Sequence, residues 1–277
     1  MKSTIAEQMM RSTFRIEMMD ENETVEGTGT GFIFTFCQTE ETFVPALVTN
    51  RHVLGNCKKI RLTFTRGHDG VPVVPPVLDN VVLDTSRTIF HPDPSIDLAV
   101  LPIAHVLDTL HREGKDPVYR YIDQSLIPSK EAWAELDAIE EVTMVGYPRG
   151  LLDPVNNLPI FRRGITATHP AYDFKGEPKF LVDMACYPGS SGSPVFIYHS
   201  GGHTDPRRNA FNLRPKVLFL GVQHAAPISK DVGDLIICDD TKTTLKPVIQ
   251  SYFNLGIIIK STELLAFEPI LRSMTNK

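Results

Sequence analysis

The sequence predicts an all-β protein of two antiparallel six-stranded β-barrels, with a helical linker between them and a helix at the C-terminal end. Short segments rich in β-branched and aromatic residues fall into two similar sets, which is typical of many short strands. Among the 277 residues, 18 glycines and 21 prolines punctuate these segments. A helical stretch separates the two sets. Because closing a sheet removes its unpaired edges, we expect residues 1–125 and 126–277 to form one barrel each, with the linker in the first part.

The first set of strands precedes residue 104. Gly, Pro, Asp and Asn separate its members, as turn residues do. The expected strands are residues 13–19, 27–36, 43–49, 59–64, 71–74, 81–83 and 98–103.

The linker and the second set follow. Residues 104–113 and 129–138 are expected to be helical, and Ser129 is suited to cap the second helix. A spaced apolar stripe in residues 262–274 predicts the closing helix. The second set of strands is expected at residues 141–147, 160–168, 179–185, 193–198, 216–223 and 255–260.

Composition excludes several classes of protein. With 28 basic and 33 acidic residues the formal net charge is −5, so no strong positive field is present to hold nucleic acid. No apolar run is long enough to span a bilayer. The four cysteines form no CxxC pair and the histidines show no metal-ligand spacing, so neither a disulfide framework nor a metal site is predicted. We expect a cytoplasmic protein without cofactor, metal, nucleic-acid or membrane partner.

Three short segments carry residues suited to nucleophilic catalysis. They are TNRHV at 49–53, SIDLAVL at 95–101 and PGSSGSP at 188–194. Each is weak alone, because a histidine after a strand or an aspartate before one is often structural. Together they place a base, an orienting acid and a nucleophile in one chain order, each at the edge of a predicted strand. This combination favours catalysis over coincidence.

The chemistry assigns a role to each residue. A serine hydroxyl needs an imidazole to take its proton, and the imidazole needs a carboxylate to fix its tautomer. His52 and Asp97 suit these roles. Ser191 is the expected nucleophile, because a glycine stands two positions before it and another directly after it. The backbone N–H groups of Gly189 and Ser191 are the expected oxyanion donors.

These motifs resemble those of trypsin-like serine peptidases with the chymotrypsin fold, closest in style to the bacterial Deg/HtrA protease domain. GTGTGFIF, VTMVGYPRG, LGVQHAA and NLGIIIK extend the resemblance over about residues 11–272. It implies a bacterial serine endopeptidase that hydrolyses protein or peptide substrates through an acyl-enzyme. Two departures stand out. Ser190 replaces the aspartate that pairs with a newly cut amino terminus in secreted trypsins, so that activation is not expected. A peptide-binding PDZ module is not expected to follow.

The resemblance also implies a substrate pocket. Ala185 and Cys186 would lie at its base, with Val222, Gln223 and His224 along a wall. No acidic residue occupies the base, so Lys and Arg substrates are disfavoured and small or medium uncharged side chains are expected. As an alternative, His224 binds a Gln or Glu side chain of the substrate.

Two other functions stay open. Polar segments at residues 106–125, 200–212 and 227–246 are longer than typical loops, and such loops often bind partners. They suggest a latent protease that a regulatory protein or ligand activates. The third hypothesis is a catalytically silent trypsin-like binding domain.

Overall fold

The structure of the chain is a computed structural model and describes residues 3–55, 57–205, 209–232, 248–252 and 254–275. Its strands are β1 (Thr13–Met19), β2 (Val25–Phe36), β3 (Val44–Thr49), β4 (Lys59–His68), β5 (Val71–Pro72), β6 (Leu78–Asp84), β7 (Ile89–Phe90), β8 (Ala99–Pro102), β9 (Pro117–Val118), β10 (Glu141–Gly146), β11 (Ile160–Thr166), β12 (Lys179–Asp183), β13 (Pro194–His199), β14 (His203–Asp205), β15 (Ala210–Asn212), β16 (Lys216–Ala225), β17 (Ile228–Val232), β18 (Val248–Tyr252) and β19 (Leu255–Lys260). The α-helices are α1 (Ile5–Ser12), α2 (Arg51–Leu54), α3 (Ala104–Arg112), α4 (Lys130–Glu135) and α5 (Glu268–Thr275), and 3₁₀ turns span Gln124–Leu126, Pro148–Gly150, Phe174–Gly176 and Ser261–Phe267.

The second half of the chain forms a closed barrel of six strands in the order β10-β11-β12-β19-β16-β13. All of its neighbouring strands run antiparallel. Alternate residues of each strand turn inward, as the two-residue period of a strand requires. Its interior holds the buried side chains of Val142, Phe180, Val195, Leu220 and Ile258. The predicted six-stranded barrel is confirmed for this half.

The first half differs from the prediction. It is a nine-stranded antiparallel sheet with the main order β5-β4-β1-β2-β3-β8-β7, and β6 and β9 also pair with β4. The ten-residue strand β4 therefore has four partners. Within the described residues no ladder joins the two ends of this path. A closed six-stranded barrel is thus not confirmed here.

The helical linker is confirmed by α3 and α4. Ser129 caps α4, because its Oγ accepts a hydrogen bond from the N–H of Ala132 at 3.2 Å. The expected C-terminal helix is divided into a 3₁₀ turn, Ser261–Phe267, and α5. Helix α1 was not predicted, although Thr4 and Glu7 form the reciprocal cap that marks a helix start.

The two halves share one hydrophobic core. Phe32 and Phe34 of β2 and Phe219 of β16 belong to a single buried cluster. The rings of Phe32 and Phe219 meet edge to face, with centroids 5.3 Å apart. Because this cluster needs side chains from both halves, it fixes the relative position of the segments that carry the candidate site.

Parts of the predicted polar segments lie outside the described residues, namely 206–208 and 233–247, and so does Cys238. The other cysteines, Cys37, Cys57 and Cys186, are free thiols. No helix in the described ranges is long and apolar enough to cross a lipid bilayer.

Candidate active site

His52 is held by the segment that precedes β8. It lies in the single turn of α2, which begins directly after the fully buried Asn50. The side-chain Nδ2 of Asn50 donates to the carbonyl oxygen of Asp97 at 2.9 Å. The backbone N–H of His52 donates to Asp97 Oδ1 at 2.9 Å. These two bonds join α2 to the aspartate motif without involving the imidazole ring of His52.

The ring of His52 completes this pairing. Its Nδ1 lies 2.5 Å from Asp97 Oδ2, and the His52 side chain is 49% exposed while that of Asp97 is 16% exposed. The bond turns one ring nitrogen towards the carboxylate and leaves Nε2 for another partner. A base with one nitrogen fixed by a carboxylate and an accessible second nitrogen is the arrangement that general-base catalysis needs.

A second imidazole reaches the same carboxylate oxygen. His224 Nδ1 lies 2.7 Å from Asp97 Oδ2, and the His224 and His52 rings have centroids 6.2 Å apart. Burial by itself raises the pKa of Asp97, but the hydrogen bonds from His224 and His52 outweigh burial and hold that pKa well below its usual range. Asp97 is therefore a carboxylate at neutral pH.

An irregularity in β16 aims His224 at Asp97. Gln223 of β16 pairs with Ile258 of β19, and Ala225 of β16 pairs with the adjacent Ile257 of β19. His224 therefore has no partner on β19 and is an extra residue on its own strand. Such a bulge commonly re-aims a side chain. It explains why His224 contacts the aspartate. The place of His224 in the pocket wall stays a prediction.

The serine loop is a tight turn held between the two halves. Gly189 and Gly192 both have φ of +88°, a conformation that glycine adopts without strain. A Cβ at Gly192 would lie 1.9 Å from the carbonyl oxygen of Thr30. The backbone N–H of Gly192 donates to the carbonyl oxygen of Gln223 at 2.8 Å. The loop thus leaves no space for a side chain on the residue after Ser191.

Thr30 of β2 fixes this loop from the other side. Its N–H donates to the carbonyl oxygen of Ser191 at 2.9 Å, and its Oγ1 donates to the carbonyl oxygen of Gly189 at 2.8 Å. The same Oγ1 accepts from the N–H of Tyr147 at 3.0 Å. One fully buried threonine therefore ties the serine loop to the first half of the chain.

The hydroxyl of Ser191 forms its hydrogen bond with a backbone carbonyl. Ser191 Oγ donates to the carbonyl oxygen of His224 at 3.3 Å. Among the hydrogen bonds of the described residues, none joins Ser191 to His52. The N–H groups of Gly189 and Ser191 also have no acceptor among the described residues. Two free donors beside the serine suit the binding of an oxyanion.

The predicted pocket residues separate into three environments. Cys186 Sγ contacts Gln223 Oε1 at 3.5 Å, and these residues are only 1% and 2% exposed. Val222 packs fully buried in the shared hydrophobic core. Ala185 is partly exposed at the start of the serine loop. The structure therefore brings Cys186 and Gln223 together and places Val222 and His224 elsewhere.

Gly256 is a further residue of this region that the sequence analysis did not name. A Cβ there would lie 2.6 Å from Cys186 Sγ and 2.7 Å from Gln223 Oε1. Burial raises the pKa of the Cys186 thiol to about 11. Cys186 is therefore a neutral thiol, which is a poor nucleophile.

Thr30 and the contact of His224 with Asp97 were also not predicted. Thr30 lies in the quoted GTGTGFIF segment, but a threonine in a strand gives no sign of a distant partner. For His224, the available signal was its position directly after the apolar residues 219–222 and Gln223, which are buried in β16.

This fold and site correspond to a known class of protein. The profile of the trypsin-like peptidase domain family matches residues 29–202, which is more than half of the chain. The chain belongs to this family. The match includes all three motif segments.

The solved structures that resemble the chain are distant. The Rv3671c protease from M. tuberculosis in its active form is 14% identical, with a TM-score of 0.43 over 94% of this chain and 80% of that chain. The scabies mite inactivated protease paralogue S-I1 is 12% identical, with a TM-score of 0.44 over 96% of both chains. The comparison with curated proteins finds no match.

Proposed function

We propose that the protein is a serine endopeptidase in which His52, Asp97 and Ser191 act as a triad. The observation that carries this proposal is the 2.5 Å bond between His52 Nδ1 and Asp97 Oδ2, with His52 half exposed. Membership of the trypsin-like peptidase family supports it. No cofactor takes part in this chemistry.

The reaction uses the free nitrogen of His52. Ser191 Oγ rotates from the His224 carbonyl towards His52 Nε2 and gives up its proton as it attacks the substrate carbonyl carbon. Asp97 stabilises the imidazolium that forms. His52 returns the proton to the leaving amine, and the acyl-enzyme forms. Water then attacks the acyl carbon while His52 takes its proton, and His52 passes this proton to Ser191 Oγ as the acid is released.

The tetrahedral intermediate carries its negative charge on the former carbonyl oxygen. Gly189 and Ser191 have N–H groups without an acceptor among the described residues. Their donation to that oxygen is worth roughly 3 kcal/mol per bond in comparable sites. Thr30 holds the loop through the Gly189 and Ser191 carbonyls, which leaves these N–H groups available.

The substrate is a protein or peptide with a small or medium uncharged residue before the cleaved bond. Ala185, Cys186 and Gln223 border the pocket, and none of them is acidic, which disfavours Lys and Arg. Cys186 Sγ and Gln223 Oε1 lie 3.5 Å apart, and both residues are almost fully buried. A large side chain would have to displace both.

A latent enzyme is the second candidate. Two observations favour it, the Ser191 hydroxyl bonded to a carbonyl instead of to His52, and the near-complete burial of Cys186 and Gln223. In this form a regulatory protein or ligand opens the pocket and frees the hydroxyl.

A fluorophosphonate probe on the purified full chain tests both candidates. We expect one adduct, located on Ser191 by mass spectrometry, together with hydrolysis of a denatured proteome. Ser191→Ala and His52→Ala should remove both signals. Ser193→Ala is the matched control, because Ser193 lies in the same loop but is buried.

The outcomes separate the alternatives. Labelling without any added factor supports a constitutive peptidase. Labelling that appears only after a cell extract is added, and still requires Ser191, supports the latent form. A chain that stays unlabelled under both conditions is a silent binding domain, and hydrolysis that survives Ser191→Ala contradicts the assignment.

A further inference from the structure

The active-site carboxylate has one histidine more than proton transfer requires. His52, Asp97 and His224 each offer one potential ligand atom, and these three atoms lie within 4.8 Å of one another. They come from α2, from the segment before β8 and from the bulge of β16. Because both imidazoles approach the same oxygen, at 2.5 and 2.7 Å, three potential metal ligands point into one small volume.

We propose that these three residues form an inhibitory site for a divalent transition-metal ion, with Zn²⁺ as its best ligand. Two imidazoles and one carboxylate are a donor set that zinc accepts with a fourth position left open. Mg²⁺ and Ca²⁺ prefer sites made of oxygen ligands and are disfavoured. The 49% exposure of the His52 side chain leaves that ligand accessible from solvent.

The geometry needs only a small adjustment. Zinc binds nitrogen and oxygen ligands at about 2.0–2.2 Å, which sets neighbouring tetrahedral ligands about 3.3 Å apart. Each imidazole nitrogen must therefore move away from Asp97 Oδ2 by less than about 1 Å. The ligand atoms of the two histidines, which lie within 4.8 Å of each other, must come to the same separation of about 3.3 Å. His52 can make this movement by rotating its half-exposed ring.

Metal binding changes the tautomer of His52. Each neutral imidazole keeps its one proton, which moves from Nδ1 to Nε2 through solvent when Nδ1 coordinates the ion. His52 Nε2 then carries a hydrogen and cannot accept the proton of Ser191. The ion therefore blocks the reaction without touching the serine, a consequence that rests on the proposed peptidase function.

The binding test does not depend on activity. Zn²⁺ is titrated calorimetrically into the Ser191→Ala chain, where one ion per chain is expected at this site. Loss of even an outer partner of a zinc ligand weakens binding by about 10–100-fold, so His224→Gln should weaken it at least tenfold. His203→Gln is the control, because the stacked His199 and His203 rings form another pair of imidazoles and should leave this affinity unchanged.

The inhibition test uses the unsubstituted chain. Zn²⁺ should slow fluorophosphonate labelling of Ser191, EDTA should restore it, and Mg²⁺ should have no effect. His203→Gln should keep the inhibition. Labelling that Zn²⁺ leaves unchanged at concentrations that saturate the Ser191→Ala chain overturns the inhibitory role.

The remaining outcomes decide whether the metal site exists and whether it can be separated from the peptidase function. Absence of zinc binding to the Ser191→Ala chain, or equal affinity after His224→Gln, overturns the site. If His224→Gln does not fold, His52→Gln replaces it, because His52 is half exposed, and the same tenfold loss is expected. If Ser191 is unreactive in every chain while zinc binding still requires His224, the metal site stands and the peptidase function fails.

Discussion

The backbone N–H of Thr30 donates a hydrogen bond to the carbonyl oxygen of Ser191 at 2.9 Å, although Thr30 lies in the first sheet and Ser191 in a turn of the second half of the chain. The side chain of Thr30 adds bonds to Gly189 and Tyr147. This threonine therefore connects β2, an inner strand of the first sheet, with the loop that carries the candidate nucleophile. The position of Ser191 depends on the first half of the chain as much as on its own barrel.

Thr30→Val tests this connection. It should destabilise the fold by about 1–3 kcal/mol, because the buried N–H of Tyr147 loses its acceptor. Labelling of Ser191 should slow as well. Thr30→Ser is the matched control, since it keeps the hydroxyl and loses only a methyl group, worth about 0.8 kcal/mol. Chemical denaturation and labelling rates measure the two effects, and equal labelling rates in both variants would contradict the proposed role of the hydroxyl.

Gly192→Ala should displace the serine loop. The residue has φ of +88°, and its new Cβ would lie 1.9 Å from the carbonyl oxygen of Thr30. Backbone strain alone costs about 1–3 kcal/mol, and the clash adds to it. Gly114→Ala separates the two effects, because Gly114 has φ of +71° with no atom within 4 Å of the added Cβ. Thermal unfolding should show the larger loss for Gly192→Ala, and only this variant should lose labelling.

Asp97→Asn should lower kcat/KM by about 10³–10⁴-fold, because an amide no longer fixes the tautomer of His52. Asp93→Asn is the control, since Asp93 lies in the same segment and its carboxylate accepts from Ser95. Peptide hydrolysis measures the change, with circular dichroism to establish that both variants are folded. Full activity in Asp97→Asn would exclude the triad.

Cys186 should not behave as a nucleophile. Burial raises the pKa of its thiol to about 11, so less than about 1% is thiolate at pH 7. Iodoacetamide at pH 7 should leave peptidase activity intact, and Cys186→Ala should still react with the fluorophosphonate probe. Loss of probe labelling in a folded Cys186→Ala chain would reopen the choice of nucleophile.

The stability of the first sheet should depend on pH through Asp79. Arg66 donates to both of its carboxylate oxygens, at 2.7 and 3.0 Å, and this bonding lowers the pKa of Asp79. A carboxylate whose pKa is lower in the folded state stabilises the protein at pH values above its pKa in the unfolded state, about 3.9. This stabilisation is lost as the pH falls through the pKa of the folded state. Asp79→Asn should therefore flatten the fall in unfolding free energy below about pH 4. Asp69→Asn, at an exposed side chain, should not.

Much of the second half of the fold could be predicted. The strands of the closed barrel lie within two or three residues of their expected bounds, because local β propensity and turn residues mark them. The first half could not be predicted as fully. Strand β4 shares its edges among four partners, and the choice among partners depends on contacts between distant segments that no local pattern encodes.

The sequence by itself indicated the candidate catalytic residues and their order, because a base, an acid and a glycine-flanked serine are recognisable from type and spacing. It also determined that the serine loop needs glycine at 192. Only the tertiary structure decided that His224 contacts Asp97, that Thr30 holds Gly189 and that Val222 belongs to the core. A bulge in one strand and the packing of two sheets set these contacts, and both arise from the simultaneous pairing of segments far apart in the chain.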